Sequence, residues 1–278
     1  MKKLFALSCI ALISFAAQAQ VLLSGGLTYT QNFDSMSNAP SSSTYTWTDN
    51  ATPGLEGWYA SRAYVSGTTS AFGPFAWPSY RVSDGSLNNG GLYSYGTIGS
   101  TDRALGSLSS GTPKTNAFGV LIQNDTGSAV DNILISYTGE QWRNGGNTTA
   151  QALAFSYSTT SSSFWVAGAL DTAPAGADSW IAFNTLSFVS PTVGAAATAL
   201  DGNNAANQVQ FSNVLLTGVT LNPGDSIFLR WVDIDDSGND HGFGVDNFSV
   251  SFSAVPEPST LALLGLGGLG LAMLRRRR

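Results

Sequence analysis

The chain has 278 residues, of which 11% are charged, against about 25% in an average soluble domain. Six of its 12 basic residues lie at the two ends, so residues 20–254 hold six basic and 17 acidic side chains, a net charge near −11. So acidic a body argues against nucleic acid as a partner, because contact with phosphates needs a basic surface. The only cysteine, Cys9, lies in the first apolar stretch, which excludes a disulfide framework in the remaining chain.

The chain begins MKKLFALSCIALISFAAQAQ. Two lysines precede an apolar run over residues 4–17, and Ala17-Gln18-Ala19 has the small-x-small pattern of a cleavage site. We therefore predict a signal peptide over residues 1–19, forming a helix until it is cleaved after Ala19. This predicts export across the inner membrane, with Cys9 as an ordinary residue of the peptide rather than a lipidated one.

The central part, residues 20–254, is dominated by short segments in which apolar and polar residues alternate, with Gly- and Asn-rich turns between them. The apolar positions predicted to share one face are Ile133, Ile135 and Tyr137; Leu153, Phe155 and Tyr157; Ile227, Leu229 and Trp231; and Phe248, Val250 and Phe252. Many short strands of this kind predict one all-β domain, a single antiparallel β-sandwich. Residues 35–111 are less regular, and we expect long loops and short strands over one end of the sandwich.

Glu140, Trp142 and Arg143 follow one another at the end of a predicted strand, in GEQWRNGG. A carboxylate, an aromatic ring and a guanidinium are groups that contact sugars, so this triplet is a candidate glycan contact. The alternative is structural: Glu140 forms an ion pair with Arg143 or Arg230 that fixes the junction between strand and loop.

Aromatic residues offer a second kind of sugar contact, since an exposed ring can stack on a pyranose. Of the seven tryptophans, Trp231 lies in an alternating strand and is expected in the core, whereas Trp142, Trp58 and Trp77 are the candidates for the surface. His241 is the only histidine, so neither a three-histidine zinc site nor a catalytic role is expected for it.

Five aspartates crowd one stretch near the end of the body: Asp233, Asp235, Asp236, Asp240 and Asp246. Carboxylates at this density repel one another unless they are solvated or bridged by a hard cation such as calcium. The spacing is not that of an EF-hand, because the twelfth position from Asp233 is Gly244 rather than glutamate. Two hypotheses remain: a calcium site, or a solvated acidic loop between two strands.

The chain ends VPEPSTLALLGLGGLGLAMLRRRR. Residues 261–274 form an apolar run of 14 residues, about 21 Å long as a helix. A bilayer core is about 30 Å thick, so this run is short for a durable transmembrane anchor. The final arginines favour the cytoplasmic face. A short helix of this kind indicates a transient sorting device, whereas the alternative is a linker followed by a weak membrane helix.

Pro256, Glu257 and Pro258, the short apolar run, and then Arg275, Arg276, Arg277 and Arg278 together resemble the PEP-CTERM sorting domain, here over residues 255–278. The resemblance implies recognition by an exosortase, a membrane protease-transpeptidase. The C-terminal helix would anchor the chain transiently in the inner membrane and then be removed. The body would pass to the cell surface or to an extracellular polysaccharide matrix.

The stretches YTGEQWRNGGN and LRWVDIDDSGNDHGFGVDNFSVSF also resemble segments in the bodies of such secreted proteins. Those bodies are jelly-roll sandwiches of the lectin or carbohydrate-binding type. In that fold a structural calcium often ties the first strand to the last, here Asp34 in QNFDSM to Asp246 in GVDNFSV. The candidate calcium ligands are Asp34, Asp233, Asp235, Asp240 and Asp246.

The sequence thus predicts a non-enzymatic, exosortase-sorted protein of the cell surface or matrix. We expect it to associate with exopolysaccharide in a biofilm and to bind glycan with structural calcium. One alternative is a secreted carbohydrate-active enzyme, a glycoside hydrolase or lyase, which would need a second carboxylate near Glu140 or Glu56. Another is a purely structural protein without glycan binding.

Overall fold

The structure is a computed structural model that describes residues 20–63, 75–160 and 180–256. The predicted signal helix, the C-terminal apolar helix and the four final arginines lie outside these residues. Within them, no helix combines the length and the apolar character needed to cross a membrane.

The described residues contain seventeen strands and three short 3₁₀ turns, so the predicted all-β class is confirmed. The strands are β1 (Val21–Leu22), β2 (Thr28–Gln31), β3 (Thr44–Thr46), β4 (Trp58–Arg62), β5 (Phe75–Ala76), β6 (Ser79–Ser83), β7 (Gly91–Tyr95), β8 (Ala104–Leu108), β9 (Asn116–Gln123), β10 (Val130–Asn144), β11 (Ala152–Thr160), β12 (Ile181–Ala182), β13 (Phe188–Val189), β14 (Thr198–Ala199), β15 (Gln208–Leu216), β16 (Ser226–Asp233) and β17 (Gly242–Ala254). The 3₁₀ turns are Leu23–Gly25, Asn184–Leu186 and Ala205–Asn207.

The strands form two sheets in a sandwich. Sheet one has the order β12-β11-β16-β9-β4-β5, with β1 beside β9 and β13 beside β11. Sheet two has the order β14-β10-β17-β8-β7-β6-β3, with β15 beside β10 and β2 beside β17. Neighbours in the described residues are antiparallel except for β1–β9 and β6–β7, which are parallel. The sandwich is therefore confirmed, whereas its jelly-roll character stays a prediction.

The core between the sheets is formed by the alternating residues of the predicted strands. Ile133, Ile135, Leu229, Trp231 and Val250 are all fully or almost fully buried. Because successive side chains in a strand point to opposite faces, this alternation could be read from the sequence before the strands were placed.

Strand β16 is buried on both faces, which its sequence SIFLRWVD reflects. On the face away from the core, Phe228 and Val232 pack with Tyr59 and Trp180. Arg230 lies between them, with its guanidinium 3.7 Å from the centre of the Trp180 ring. A strand covered on both sides needs apolar residues at nearly every position.

Residues 35–111 contain the expected short strands, but these strands belong to the two sheets instead of lying over one end of the sandwich. Strands β4 and β5 belong to sheet one, and β3, β6, β7 and β8 belong to sheet two. All side chains of β7 and β8 are buried. The segment looked irregular because its strands are at most five residues long and rich in Gly, Ser and Tyr, too short to display a clear period.

Candidate functional site

A short strand near the start of the body lies beside the last strand. β2 pairs with β17, and Gln31 is opposite Phe248. Asp34 follows β2 after a turn in which Phe33 has a φ of 58°, and Asp246 precedes Asn247, whose φ is 49°. Left-handed backbone is rare for residues other than glycine, so both turns are held by their surroundings.

Asp246 is one of five acidic side chains that interact electrostatically here, which we call the carboxyl cluster: Asp34, Asp102, Glu140, Asp201 and Asp246. Glu140 and Asp246 are buried, whereas the other three are exposed. Burial raises the pKa of Glu140 to about 8, with further contributions from Asp246. Burial also raises the pKa of Asp246 to about 7, and Asp102 and Asp34 add to that rise.

The other four aspartates of the acidic stretch form a separate set, the loop aspartates: Asp233, Asp235, Asp236 and Asp240. Asp233 is buried and accepts a hydrogen bond of 2.7 Å from the Ser107 hydroxyl. Asp235 forms an ion pair of 3.2 Å with Lys114. The carboxylate of Asp240 accepts a 2.8 Å hydrogen bond from the backbone N–H of Asp236.

The structure therefore does not bring the five aspartates of residues 233–246 together. β17 carries Asp246 along sheet two, away from the loop that joins it to β16. Among the residues that the structure describes, no group of three or more His, Cys, Asp or Glu side chains is arranged to hold a metal ion. The predicted ligands thus fall into two groups: Asp34 interacts electrostatically with Asp246, whereas Asp240 interacts with Asp233 and Asp235.

Trp142 and Glu140 are buried, which corrects the expectation of an exposed glycan contact at these two residues. The Nε1–H of Trp142 donates a 2.8 Å hydrogen bond to a carboxylate oxygen of Glu140. The ring stacks parallel to Tyr95 with 6.0 Å between centroids, and Gly202 packs directly against it. The loop around Gly202 thus covers the outer face of β10, a long-range contact that the local sequence does not encode.

Arg143 does not pair with Glu140, which was the structural alternative. Its Nη1 donates to the backbone carbonyl oxygens of Gly85 at 3.0 Å and Ser86 at 3.3 Å. No ion pair links Glu140 to Arg143 or Arg230 in the part of the chain that the structure describes. Arg230 instead lies over Trp180 and donates to the Ser156 hydroxyl.

The described tryptophans offer no stacking platform. Trp231 is buried as predicted, but Trp58 and Trp77 are buried too, contrary to expectation. Trp58 lies in β4 and packs parallel to Trp231 at 6.1 Å, since β4 is part of sheet one rather than a surface loop. Trp77 lies where the chain passes from β5 to β6, between the two sheets.

His241 lies immediately before β17, next to Asp240. It is fully buried, and its Nδ1 accepts a 3.0 Å hydrogen bond from the backbone N–H of Gly145. Its own backbone N–H donates to the Gln151 side chain. Burial lowers the pKa of His241, which favours the neutral ring that this acceptor role requires.

A polar pocket of about 310 Å³, the end pocket, lies where β8 and β10 end and β17 begins. Its walls include Asn88, Ser110, Arg143, Asn239 and Asp240. Arg143 and Asp240 are thus the two predicted site residues that face a common space. Three pockets on the described surface have volumes of about 280 to 340 Å³; Asp240 is the one carboxylate that lines any of these three, and neither Glu140 nor Glu56 does.

The buried position of Trp142 predicts a loss of stability when its N–H is removed. Trp142→Phe leaves Glu140 without this donor, and an unsatisfied buried polar group costs about 1–3 kcal/mol. Urea unfolding monitored by circular dichroism measures the loss. Tyr45→Phe is the control, because the Tyr45 hydroxyl donates to Ala39 at an exposed position, and a smaller loss is expected. Equal stability of Trp142→Phe and the wild type would mean that the ring is exposed.

Comparison with known families locates one match. Residues 254–278 match the model described as the PEP-CTERM protein-sorting motif. This confirms the sorting domain recognised in the sequence and its position at the C-terminal end. No curated protein matches the chain.

Solved structures give weak similarities only. One is the CBM22-1 xylan-binding domain from Paenibacillus barcinonensis Xyn10C, at 10% identity and a TM-score of 0.30, covering 78% of this chain and 99% of that chain. Another is a family 11 carbohydrate-binding module from Clostridium thermocellum in complex with a beta-1,3-1,4-mixed-linked tetrasaccharide, at 10% identity and a TM-score of 0.25, covering 82% of this chain and 98% of that chain. Similarities at this level establish neither a shared site nor a shared ligand.

The family match therefore rests on the tail rather than on the sandwich. A PEP-CTERM motif indicates export and a C-terminal sorting signal, and it implies processing by an exosortase. This chain is an all-β protein that carries a C-terminal PEP-CTERM protein-sorting motif.

Proposed function

We propose that this protein is exported, released from its C-terminal signal by an exosortase, and retained at the cell surface or in the extracellular polysaccharide matrix as a non-enzymatic component of a biofilm. The observation that carries the proposal is the sorting motif at residues 254–278. The predicted signal peptide also supports export across the inner membrane.

The position of the motif relative to the sandwich suits removal. β17 ends at Ala254, and the last backbone hydrogen bond to the body is donated by Val255 to the Ala129 carbonyl oxygen at 2.8 Å. Pro256 is exposed. A cut beyond Pro256 therefore breaks no strand pairing among the described residues, and the processed body keeps its sandwich.

Sorting is tested by replacing Pro256, Glu257 and Pro258 together with alanine in a host that has an exosortase. We expect the wild-type body in the outer fraction or medium at reduced mass, and the variant in the inner membrane at full length. Immunoblots of the separated fractions measure both. Ser259→Ala is the matched control and is expected to be sorted normally. Retention of the wild-type chain in the inner membrane at full length would contradict the proposal.

We assign the proposed glycan contact to the end pocket. Arg143 and Asp240 supply a charged donor and a charged acceptor, and Asn88 and Asn239 supply amides. Sugar hydroxyl groups donate and accept at once, so a wall that alternates donors and acceptors suits them. The enzymatic alternative is less favoured, because glycoside hydrolysis normally uses two carboxylates and this pocket contributes only Asp240.

Calorimetric titration of the full chain in detergent with neutral tetrasaccharides tests this contact. Arg143→Gln and Asp240→Asn should each weaken binding about tenfold or more, because each removes a charged hydrogen-bonding group. The exposed Asp125→Asn is the control and should bind as the wild type does. Binding that is unchanged in both pocket variants would exclude this pocket. Release of reducing ends from the same sugars would instead favour the enzyme.

Calcium is proposed at the Asp34–Asp246 pair of the carboxyl cluster. A cation there would relieve the repulsion that helps to raise the pKa of Asp246. Calcium takes six to eight oxygen ligands, so backbone carbonyl groups or water would have to supply the rest.

The calcium proposal predicts a melting temperature that depends on the ion. Saturating CaCl₂ should raise it by about 5–10 °C relative to EGTA, for a ligand that binds only the folded state. Asp246→Asn should abolish the rise. Asp235→Asn, which changes a loop aspartate, should keep it. Differential scanning calorimetry measures all three chains, and a rise lost only in Asp235→Asn would place the ion at the loop aspartates instead.

A further inference from the structure

A second pocket, the arginine pocket, lies beside the end pocket and has a volume of about 280 Å³. Its walls include Arg62, Trp77, Arg81, Gly90, Thr112 and Pro113. Arg62 ends β4 in sheet one, Arg81 lies in β6 in sheet two, and Trp77 lies on the chain that crosses between them. The fold thus brings two guanidinium groups from different sheets to one cavity.

Two donors of this pocket lack acceptors among the described residues, whereas Nη1 of Arg81 donates to the Gly90 carbonyl oxygen at 3.4 Å. The Nε1–H of Trp77 and the Nε–H of Arg62 are buried and have no hydrogen-bond partner in the part of the chain that the structure describes. Trp77 as a whole is only 8% exposed. Leaving a buried donor unpaired is costly, and more so when the group is charged. Two such donors on one pocket wall point to a ligand that accepts hydrogen bonds.

The positive charge of the pocket also indicates a ligand that accepts hydrogen bonds, and specifically an anionic one. The Arg62 guanidinium lies 4.4 Å from the centre of the Trp77 ring, and burial lowers the pKa of Arg62 with no carboxylate offsetting it. Neither Arg62 nor Arg81 forms an ion pair within the described ranges. In a body whose net charge is near −11, two of the six basic residues line one cavity without a counter-charge.

The neighbouring end pocket indicates what else the ligand contains. The two pockets share a wall made of two turns: Asn88 and Ser110 line the end pocket, whereas Asn89 and Thr112 line the arginine pocket. The two turns approach each other closely at Gly90. A Cβ at this position would lie only 2.8 Å from the Thr112 carbonyl oxygen. An extended ligand can therefore cross from one pocket to the other over this thin wall.

We propose that the arginine pocket binds the carboxylate of a uronic acid in an acidic polysaccharide whose neighbouring sugar hydroxyls occupy the end pocket. Guanidinium groups and an indole N–H donate to the carboxylate oxygens, and the ion pair compensates the buried charge. The inference rests on the proposed glycan contact and adds the class of glycan.

The test is calorimetric titration of the full chain in detergent with tetramers of galacturonate, mannuronate and guluronate, and with methyl esters of the same tetramers. We expect at least one acid tetramer to bind and its ester to bind about tenfold more weakly or worse, because a neutral ester forms no ion pair. Binding of the acid should weaken at higher salt.

Variants locate the contact. Arg62→Gln and Arg81→Gln should each weaken acid binding about tenfold, and Trp77→Phe, which keeps an aromatic ring but removes the N–H, should weaken it severalfold. Lys114→Gln removes one positive charge outside the pocket and should leave the affinity unchanged. Melting temperatures confirm that each variant is folded. If Arg62→Gln does not fold, Trp77→Phe and Arg81→Gln still show whether the ligand contacts the arginine pocket.

The outcomes separate this inference from the proposed function. Equal affinity for acid and ester, or no binding of any acid tetramer, would overturn it. Full competition by acetate at equal carboxylate concentration would also overturn it, since the pocket would then hold a free small anion. If Arg143→Gln weakens binding of ester and acid alike while Arg62→Gln weakens neither, the end-pocket contact holds and the uronate inference fails. If Arg62→Gln weakens binding of the acid alone while Arg143→Gln weakens neither ligand, the carboxylate binds in the arginine pocket, but the placement of its neighbouring sugar in the end pocket is wrong.

Discussion

The sandwich depends on the burial of Trp231 between its two sheets. Trp231 lies in the middle of β16 and contacts Phe118 and Phe155, which are its neighbours in sheet one. Across the interface it meets Tyr137 and Phe248 of sheet two edge-on, with centroids 5.3 and 5.6 Å away. Edge-to-face pairs of this kind add about 0.5–1.5 kcal/mol each beyond the burial of apolar area. They fix how the two sheets face one another, and every pocket at the ends of the strands depends on that alignment.

A core this rich in aromatic residues leaves few of them for the surface. Trp58 belongs to the same cluster, and Trp142 serves the outer face of sheet two by donating to the buried Glu140. Ligand contact by stacking on a described tryptophan is therefore excluded by packing. The side chains that line the two pockets at the strand ends are mainly polar and charged. The proposed ligand contacts accordingly rest on hydrogen bonds and ion pairs, which depend on salt and on the charge of the glycan.

The two pockets contain no residue from the end of β17, where the sorting tail begins. The pockets are built by the turns before β7 and after β8 together with the ends of β4 and β10, whereas the tail leaves from the end of β17 at Ala254. Removal of the tail thus leaves the pocket walls unchanged. A body released from its tail would therefore keep both pockets to which we assign the proposed polysaccharide contacts.

The sequence alone determined the sorting motif and the long strands, because both are local patterns. Three features in fixed order identified the tail, and the alternation in β10, β11, β16 and β17 follows from the pleat of a strand. The short strands β3 to β8 could not be seen, since a period of two needs more residues than they contain. Only the tertiary structure decided which side chains meet. It separated Asp246 from Asp233, Asp235 and Asp240, and it covered Trp142 with the loop around Gly202. It also joined Arg62 and Arg81 in one cavity. The physical reason is that burial and charge at these residues are set by chain segments far away in sequence, whose positions the folding of two sheets against one another fixes.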